Sequence, residues 1–245
     1  MKYAIFVLTH YNKEFVIPHY KWHEQICDTY IIYQTSKIID FNNFILVDIP
    51  GTMCIWNVTR LLAHYAIRYD YDYYVLMAGD CFILRKDWIP KTIEFMKEKE
   101  ADVSFTHISA KCEHFKVQFY KMIEHFYKID RKEIKWSLNA CNVFSRKALE
   151  IYNKTNYFKV YDEVDPYNAL AKKVKVVGNP FINYNAFSAS CLTDHTVEEI
   201  KAKIYRPYKF DDPDMVYETN ESPKDLHIIH AVKDFDKFRQ LGFKL

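Results

Sequence analysis

Asp80 stands directly after the apolar run in VLMAGDCFIL. A carboxylate that leaves a buried strand at that point emerges into the crevice where open α/β sheets bind ligands. There it can hold a divalent cation, since Mg²⁺ and Mn²⁺ take oxygen donors and Mg²⁺ needs few protein carboxylates beside phosphate oxygens. The same residue can equally cap the following turn. The run Thr9-His10-Tyr11-Asn12 ends another apolar segment and occupies an equivalent place. In VYDEVDPYNALAKK, Asp162, Glu163 and Asp165 form an acidic cluster that suits a general base. Such acids also favour a helix N-terminus with no chemistry at all. In LHIIHAVKDF, His227, His230 and Lys233 recur three residues apart, and His230 beside two isoleucines also fits a structural role. Trp136 can stack on a sugar or fill a core. Cys81 borders Asp80, but no histidine pairs with it in a nucleophile pattern. No Walker A or GxGxxG motif is present, which counts against ordinary kinases and NAD enzymes.

These residues need elements to position them. Lys2 to Leu8 is a continuous apolar run suited to a central parallel strand buried on both faces. A helix is expected around Phe15 to Cys27, then short strands at Tyr30–Tyr33 and Phe44–Ile49. Val58, Leu61, Leu62, Tyr65, Ala66 and Tyr69 follow the spacing of an amphipathic helix. Tyr73–Met77 reads as a strand, and a helix opens at Asp87 with Pro90 in its first turn, where the missing N–H matters little. Val103–Phe105 follows as a strand. The second half carries a strand at Ala140–Phe144, a helix capped by Ser145, a helix from about Asp162 and a strand at Val174–Val177. After Asn179 the chain reads as polar and irregular, as lids and loops do. The alternation predicts a mainly parallel sheet with helices on both faces.

Composition narrows the function classes. The chain has 245 residues with 49% hydrophobic and 27% charged, ordinary for a globular protein and compatible with one domain spanning 1–245. Residues 1–110 would form a nucleotide-binding half, and 111–245 an acceptor-binding half with a C-terminal lid. A net charge of +2, with no basic run, argues against a nucleic-acid partner. The opening MKYAIFVLTHYNKEF has too short an apolar stretch for a signal sequence or a membrane span. Six cysteines lie far apart with no CxxC pair, which favours free thiols in a reducing compartment over a zinc cluster. Sequons at Asn57, Asn153 and Asn220 carry little weight without a secretion signal. The 20 Tyr and 18 Phe include candidates for a sugar-stacking surface.

The segment NVTRLLAHYAIRYDYDYYVLMAGD resembles the "N…aR…a…A…dY…lDxD" stretch of family 2-like glycosyltransferases, which have the Rossmann-like GT-A fold of nucleotide-diphospho-sugar transferases. Asn57 and Arg60 match its polar positions, and Asp80 matches the last Asp of DxD. FVLTHYNKE is similar to the family's first strand and nucleotide-contacting turn, and VYDEVDPYNALAKK to its "EDxDl…R" region. The likeness runs from about residue 3 to 176. Ala78 replaces the first Asp of DxD and so removes a usual ribose or metal contact. The family's Arg after the acidic cluster has no counterpart, with Lys172 and Lys173 nearby.

The resemblance implies transfer of a sugar from a nucleotide-sugar co-substrate, UDP-sugar by the habit of the fold, to a hydroxyl acceptor, with inversion. Nucleotide contacts fall on Thr9, His10, Tyr11, Asn12, Arg60 and Asp80. A Mn²⁺ or Mg²⁺ ion falls on Asp80 and, by similarity to several GT-A enzymes, on His230, with Lys233 at the diphosphate. Glu163 matches the family's base, and Asp162 is the close alternative. The acceptor is a glycan, a lipid-linked group or a protein. A cytoplasmic location is expected, with peripheral membrane contact open. Two other readings stand: a non-catalytic carbohydrate-binding or surface protein, and a sugar-phosphate nucleotidyltransferase, whose Gly-rich basic loop HYNKEF matches poorly.

Overall fold

A computed structural model describes residues 1–9, 13–34, 44–47, 58–106, 108–109, 117–137, 141–155, 164–181, 183–184, 198, 204–206, 217–219, 226–230, 232 and 235–242. His10, Tyr11, Asn12, Asn57, Asp162, Glu163 and Lys233 lie outside these residues.

Period-two burial of the strands builds the centre of the molecule. In β1 (Tyr3–Thr9), Ala4, Phe6 and Leu8 face one core, whereas Ile5 and Val7 face a second core across the sheet. In β4 (Tyr73–Ala78), Tyr74 and Leu76 join the first core, and Val75 and Met77 the second. A strand without a polar face can be satisfied only between two helical layers. β2 (Thr29–Gln34) and β3 (Phe44–Val47) extend the sheet beyond β1 in parallel. On the other side lie β9 (Cys141–Ser145), β6 (Val103–Phe105) and β10 (Val176–Gly178), giving the order β10-β6-β9-β4-β1-β2-β3. Strand β9 runs antiparallel to both β4 and β6, and the other pairings are parallel.

Each helix covers the sheet with the face its apolar spacing prescribes. α1 (Lys13–His23) and α3 (Trp88–Glu98) pack on the second core through Val16, Tyr20, Ile89, Ile93 and Met96. α2 (Val58–Ala66), α5 (Arg146–Lys154) and α6 (Asp165–Leu170) pack on the first through Leu62, Ala63, Leu149 and Leu170. Ser145 caps α5, its hydroxyl accepting from Ala148 N at 3.2 Å. Helix α4 (Val117–Tyr127) leads into a 3₁₀ turn at Arg131–Glu133, and a short ladder pairs β7 (Ile108–Ser109) with β8 (Trp136–Ser137).

The reversal of β9 has a positional consequence. Because β9 runs down the sheet, α5 climbs back, and its last turn reaches the carboxyl edge of the parallel strands, beside the first turn of α2.

The expectation of loops after Asn179 needs correction. Strands β11 (Asn183–Tyr184), β12 (Ile204–Arg206), β13 (Tyr217–Thr219) and β14 (Ile228–Ile229) join β5 (Phe82–Ile83) in a second sheet of order β13-β12-β11-β14-β5. These strands are two or three residues long, too short to show alternation, so the sequence carries no periodic signal for them. A last helix, α7 (Phe235–Gln240), closes the described chain. No helix among the described residues is long and apolar enough to cross a membrane.

Candidate active site

The ends of β1 and β4 meet where their side chains leave least room. A Cβ on Gly79 would lie 2.5 Å from Thr9 Cβ and 2.9 Å from the Leu8 carbonyl oxygen, so only glycine fits. Thr9 itself is buried against this contact. The chain then turns, Cys81 N donating to Ala78 O at 3.0 Å, and Asp80 sits on the turn.

Three ring side chains of α1 secure the backbone from Cys81 to Ile83. His19 Nε2 donates to the Cys81 carbonyl at 2.8 Å, and Trp22 Nε1 donates to the Ile83 carbonyl at 2.7 Å. His23 Nε2 accepts from Ile83 N at 3.1 Å, so its proton is on Nδ1, which donates to His19 O at 2.8 Å. Neither histidine carries a charge. Burial pulls the pKa of His19 down to about 4, against the upward pull of the Cys81 carbonyl and the Asp80 charge. Burial also holds His23 well below its ordinary value, with His19 adding to the effect. Phe82 is enclosed by aromatic rings of α1 and α7, among them Phe15 and Phe238.

From the opposite side comes the C-terminal segment. β14 pairs with β5, Leu84 N donates to His227 O at 2.8 Å, and Val232 N donates to the Asp80 carbonyl at 2.8 Å. This pairing carries His230 to Asp80, with Nε2 3.4 Å from Oδ1. Both side chains keep some access to solvent, 16% for His230 and 14% for Asp80. Two adjacent ligands at about 2.1 Å from one octahedral ion stand about 3 Å apart. The observed separation is within a small side-chain adjustment of that distance. Among the described residues no cluster of three His, Cys, Asp or Glu side chains could hold a metal. An ion on this pair would complete its shell with substrate oxygens and water, the habit of Mg²⁺.

Arg60 lies in the first turn of α2, at the same edge, with its guanidinium turned toward the protein. Nε and NH2 make a two-point pair with Asp165 at 2.7 and 3.1 Å, and NH1 donates to the carbonyls of Tyr152 and Thr155. The guanidinium also lies 3.9 Å above the Tyr152 ring. Asp165 accepts further hydrogen bonds from the hydroxyls of Tyr127 and Tyr152. Burial opposes the charge on Arg60, but Tyr152 and the Asp165 carboxylate outweigh it and raise its pKa. The network fastens α2, α4 and α5 to the start of α6. Asp165 thus serves as the anchor of α6, two residues beyond Glu163.

Of the remaining candidates, Lys173 joins the Arg60 network through Thr155. Lys172 donates to Lys128 O at 3.1 Å and pairs with Glu133, and Lys173 donates to Thr155 Oγ1 at 2.7 Å. Trp136 belongs to β8 by its backbone, and its side chain lies outside the described set. Burial, with Cys141 and Asp80 adding to it, pushes the Cys81 thiol well up, which leaves it no nucleophile. Sequence reasoning passed over the His19-Trp22-His23 face. It had a signal: polar rings at i, i+3 and i+4 on the apolar side of a helix.

No family model matches the chain, and no curated protein matches it. Solved structures of similar fold exist. A glycosyltransferase involved in glycosylation of the major capsid of PBCV-1 aligns over 99% of this chain and 100% of its own, at 8% identity and a TM-score of 0.48. Mannosyltransferase PcManGT from Pyrobaculum calidifontis, in complex with GDP-Man and Mn2+, aligns over 72% of this chain at 11% identity and a TM-score of 0.43. The chain spans 54% of that enzyme's length. A putative glucose-1-phosphate thymidylyltransferase from Bacillus anthracis aligns over 72% of this chain and 86% of its own, at 11% identity and a TM-score of 0.43.

Proposed function

We propose that the chain is a glycosyltransferase that moves a sugar from a nucleotide-diphosphate donor, a UDP-sugar, to a hydroxyl acceptor with inversion. The observation that carries this reading is the Asp80–His230 pair, brought together at the carboxyl edge of the parallel strands from opposite ends of the chain. A carboxylate and an imidazole in that crevice form a small donor set for Mn²⁺ or Mg²⁺. A cation there would neutralise charge on the departing diphosphate.

The chain's own residues divide the remaining work. The backbone at Thr9 to Asn12 receives the nucleotide, and Gly79 lets β1 and β4 close up beneath it. Lys233, three residues beyond His230, supplies a further positive charge to the leaving group. Glu163 takes the proton from the acceptor hydroxyl as its oxygen attacks the anomeric carbon, while the bond to the diphosphate breaks on the opposite side. Asp162 is the neighbouring candidate for the same step. Arg60 acts indirectly: by holding Asp165 it sets where α6 begins, and so where the residues just before it stand.

Thermal unfolding with a panel of nucleotides and nucleotide sugars, with and without Mn²⁺, tests the reading. A ligand that binds only the folded state raises its stability by mass action. A metal-dependent rise with a uridine diphosphate, lost in Asp80→Ala, is the expected result. Glu163→Gln should keep that rise and abolish turnover. A well-folded chain that no nucleotide stabilises would overturn the proposal, and an unchanged rate in Glu163→Gln would overturn the assignment of the base.

A further inference from the structure

Away from the strand edge, a cavity of about 360 Å³ opens between the Arg131–Glu133 turn and α6. Its apolar wall comes from Ile129, Tyr167 and Ala171, and its charged wall from Lys132, Lys135, Lys172 and one acid, Glu133. Glu133 is already engaged: its carboxylate accepts from Asp130 N at 3.2 Å and pairs with Lys172 at 3.3 Å. Lys132 pairs with Asp130 at 3.7 Å and Lys172 with Glu133, which leaves Lys135 as the ammonium in excess among the described residues.

The lysines are held in place. Buried Asn168 accepts from Lys135 N at 3.1 Å and donates to Lys135 O at 2.7 Å, gripping that residue's backbone on both sides. The same amide donates to Val164 O at 2.6 Å, tying the grip to the start of α6. Lys172 is fixed by Lys128 O and Glu133. Lys135 is half-buried, and among the described residues its ammonium has no hydrogen-bond or ion-pair partner. A half-buried cation is costly to desolvate without a counter-charge. Such an ammonium on a preorganised backbone, next to a second fixed ammonium, suits an anion with several acceptor oxygens.

We propose that this cavity binds a phosphate-bearing ligand, gripped by Lys135 and Lys172, with its organic part against Ile129 and Tyr167. A phosphomonoester or diphosphate offers acceptor oxygens to both lysines at once, and the volume admits a group of sugar size beside it. The phosphate can belong to a soluble ester or to a lipid headgroup. No residue lining the cavity is among those assigned to sugar transfer, so the proposal does not rest on that reading.

Calorimetric titration with inorganic pyrophosphate in EDTA, using the Lys233→Gln chain, withholds from the strand-edge site both the cation and the lysine proposed for its diphosphate. Binding is expected there, and Lys135→Gln in that background should weaken it about tenfold, the loss of one charge-assisted hydrogen bond. The unliganded melting temperature should stay unchanged in Lys135→Gln, since its ammonium holds nothing in the fold. Flotation with phosphatidylcholine vesicles, with and without phosphatidic acid, provides the second arm. Vesicle binding that needs both phosphatidic acid and Lys135 would identify a lipid headgroup as the source, and pyrophosphate binding alone a soluble ester. Pyrophosphate bound equally well by Lys135→Gln, or neither probe bound by the unaltered chain, would overturn the proposal.

Discussion

Two carboxylates stand at the carboxyl edge of the sheet, Asp165 beside a guanidinium and Asp80 beside an imidazole, and the two pairs are built differently. Arg60 and Asp165 meet at 2.7 Å, with the Asp165 side chain 1% exposed and two tyrosine hydroxyls and two backbone carbonyls completing the set. Asp80 and His230 stand at 3.4 Å, on backbones that Val232 N, donating to the Asp80 carbonyl, and the β5–β14 pairing hold together. The first pair uses its side chains to hold elements together. In the second, the backbone pairing of β14 with β5 holds the elements, and the two side chains meet across it at a longer distance. A carboxylate beside a basic side chain at the edge of an α/β sheet is thus not by itself a sign of chemistry.

That distinction can be broken experimentally, and the largest effect belongs to the Arg60–Asp165 pair. Removing one partner of a buried ion pair strands the other charge, so Arg60→Met or Asp165→Leu should each lose about 3–5 kcal/mol of stability in urea titration. The double variant should lose less than the sum of the two. Single losses below about 1 kcal/mol would place the network with surface pairs, which contribute little.

The support behind Asp80 is tested by pH. His19 and His23 are neutral in the fold, and the pKa of His19 drops from 6.5 to about 4 on folding. The unfolded chain takes up these protons first, so stability is full above about pH 6.5 and falls as pH drops toward about 4. For His19 the loss amounts to about 3 kcal/mol. Urea midpoints measured across that window should fall with acid, and His19→Gln should flatten the slope. An unchanged slope would remove His19 from the account.

Next comes the contact beneath the Asp80–His230 pair. Gly79→Ala drives a methyl group into Thr9 and should cost about 1–3 kcal/mol, measured by thermal unfolding. The smallest effect on stability belongs to the Asp80–His230 pair itself. Asp80→Ala should cost less stability in urea than either change at the Arg60–Asp165 pair and yet abolish metal-dependent stabilisation by nucleotide. A large loss of stability in Asp80→Ala would show that both pairs are structural.

Much of the fold was legible in the sequence because its signals are local. The apolar run at Lys2–Leu8, the helical spacing from Val58 and the Ser145 cap each need only neighbouring residues, and β1, α2 and α5 stand where those signals place them. The short strands β11 to β14 offered too few residues for a period. The direction of β9 was equally hidden, since an antiparallel strand between two parallel ones has the same buried-run composition. At the candidate site, Asp80 and His230 were marked as polar residues beside apolar runs, and Arg60 by its match to a polar position of the stretch it resembles. The sequence could not say that Arg60 faces inward to Asp165, because that choice depends on where α5 and α6 end.

Hydrophobic periodicity and capping act within a few residues, so the bare sequence was enough to mark which residues seek the core and which turns and caps bound the elements. Which charges meet was settled by packing. Pairing Arg60 with Asp165 and His230 with Asp80 depends on strand order and on the return of the C-terminal segment to β5, and short-range electrostatics acts only between groups that packing has already brought together.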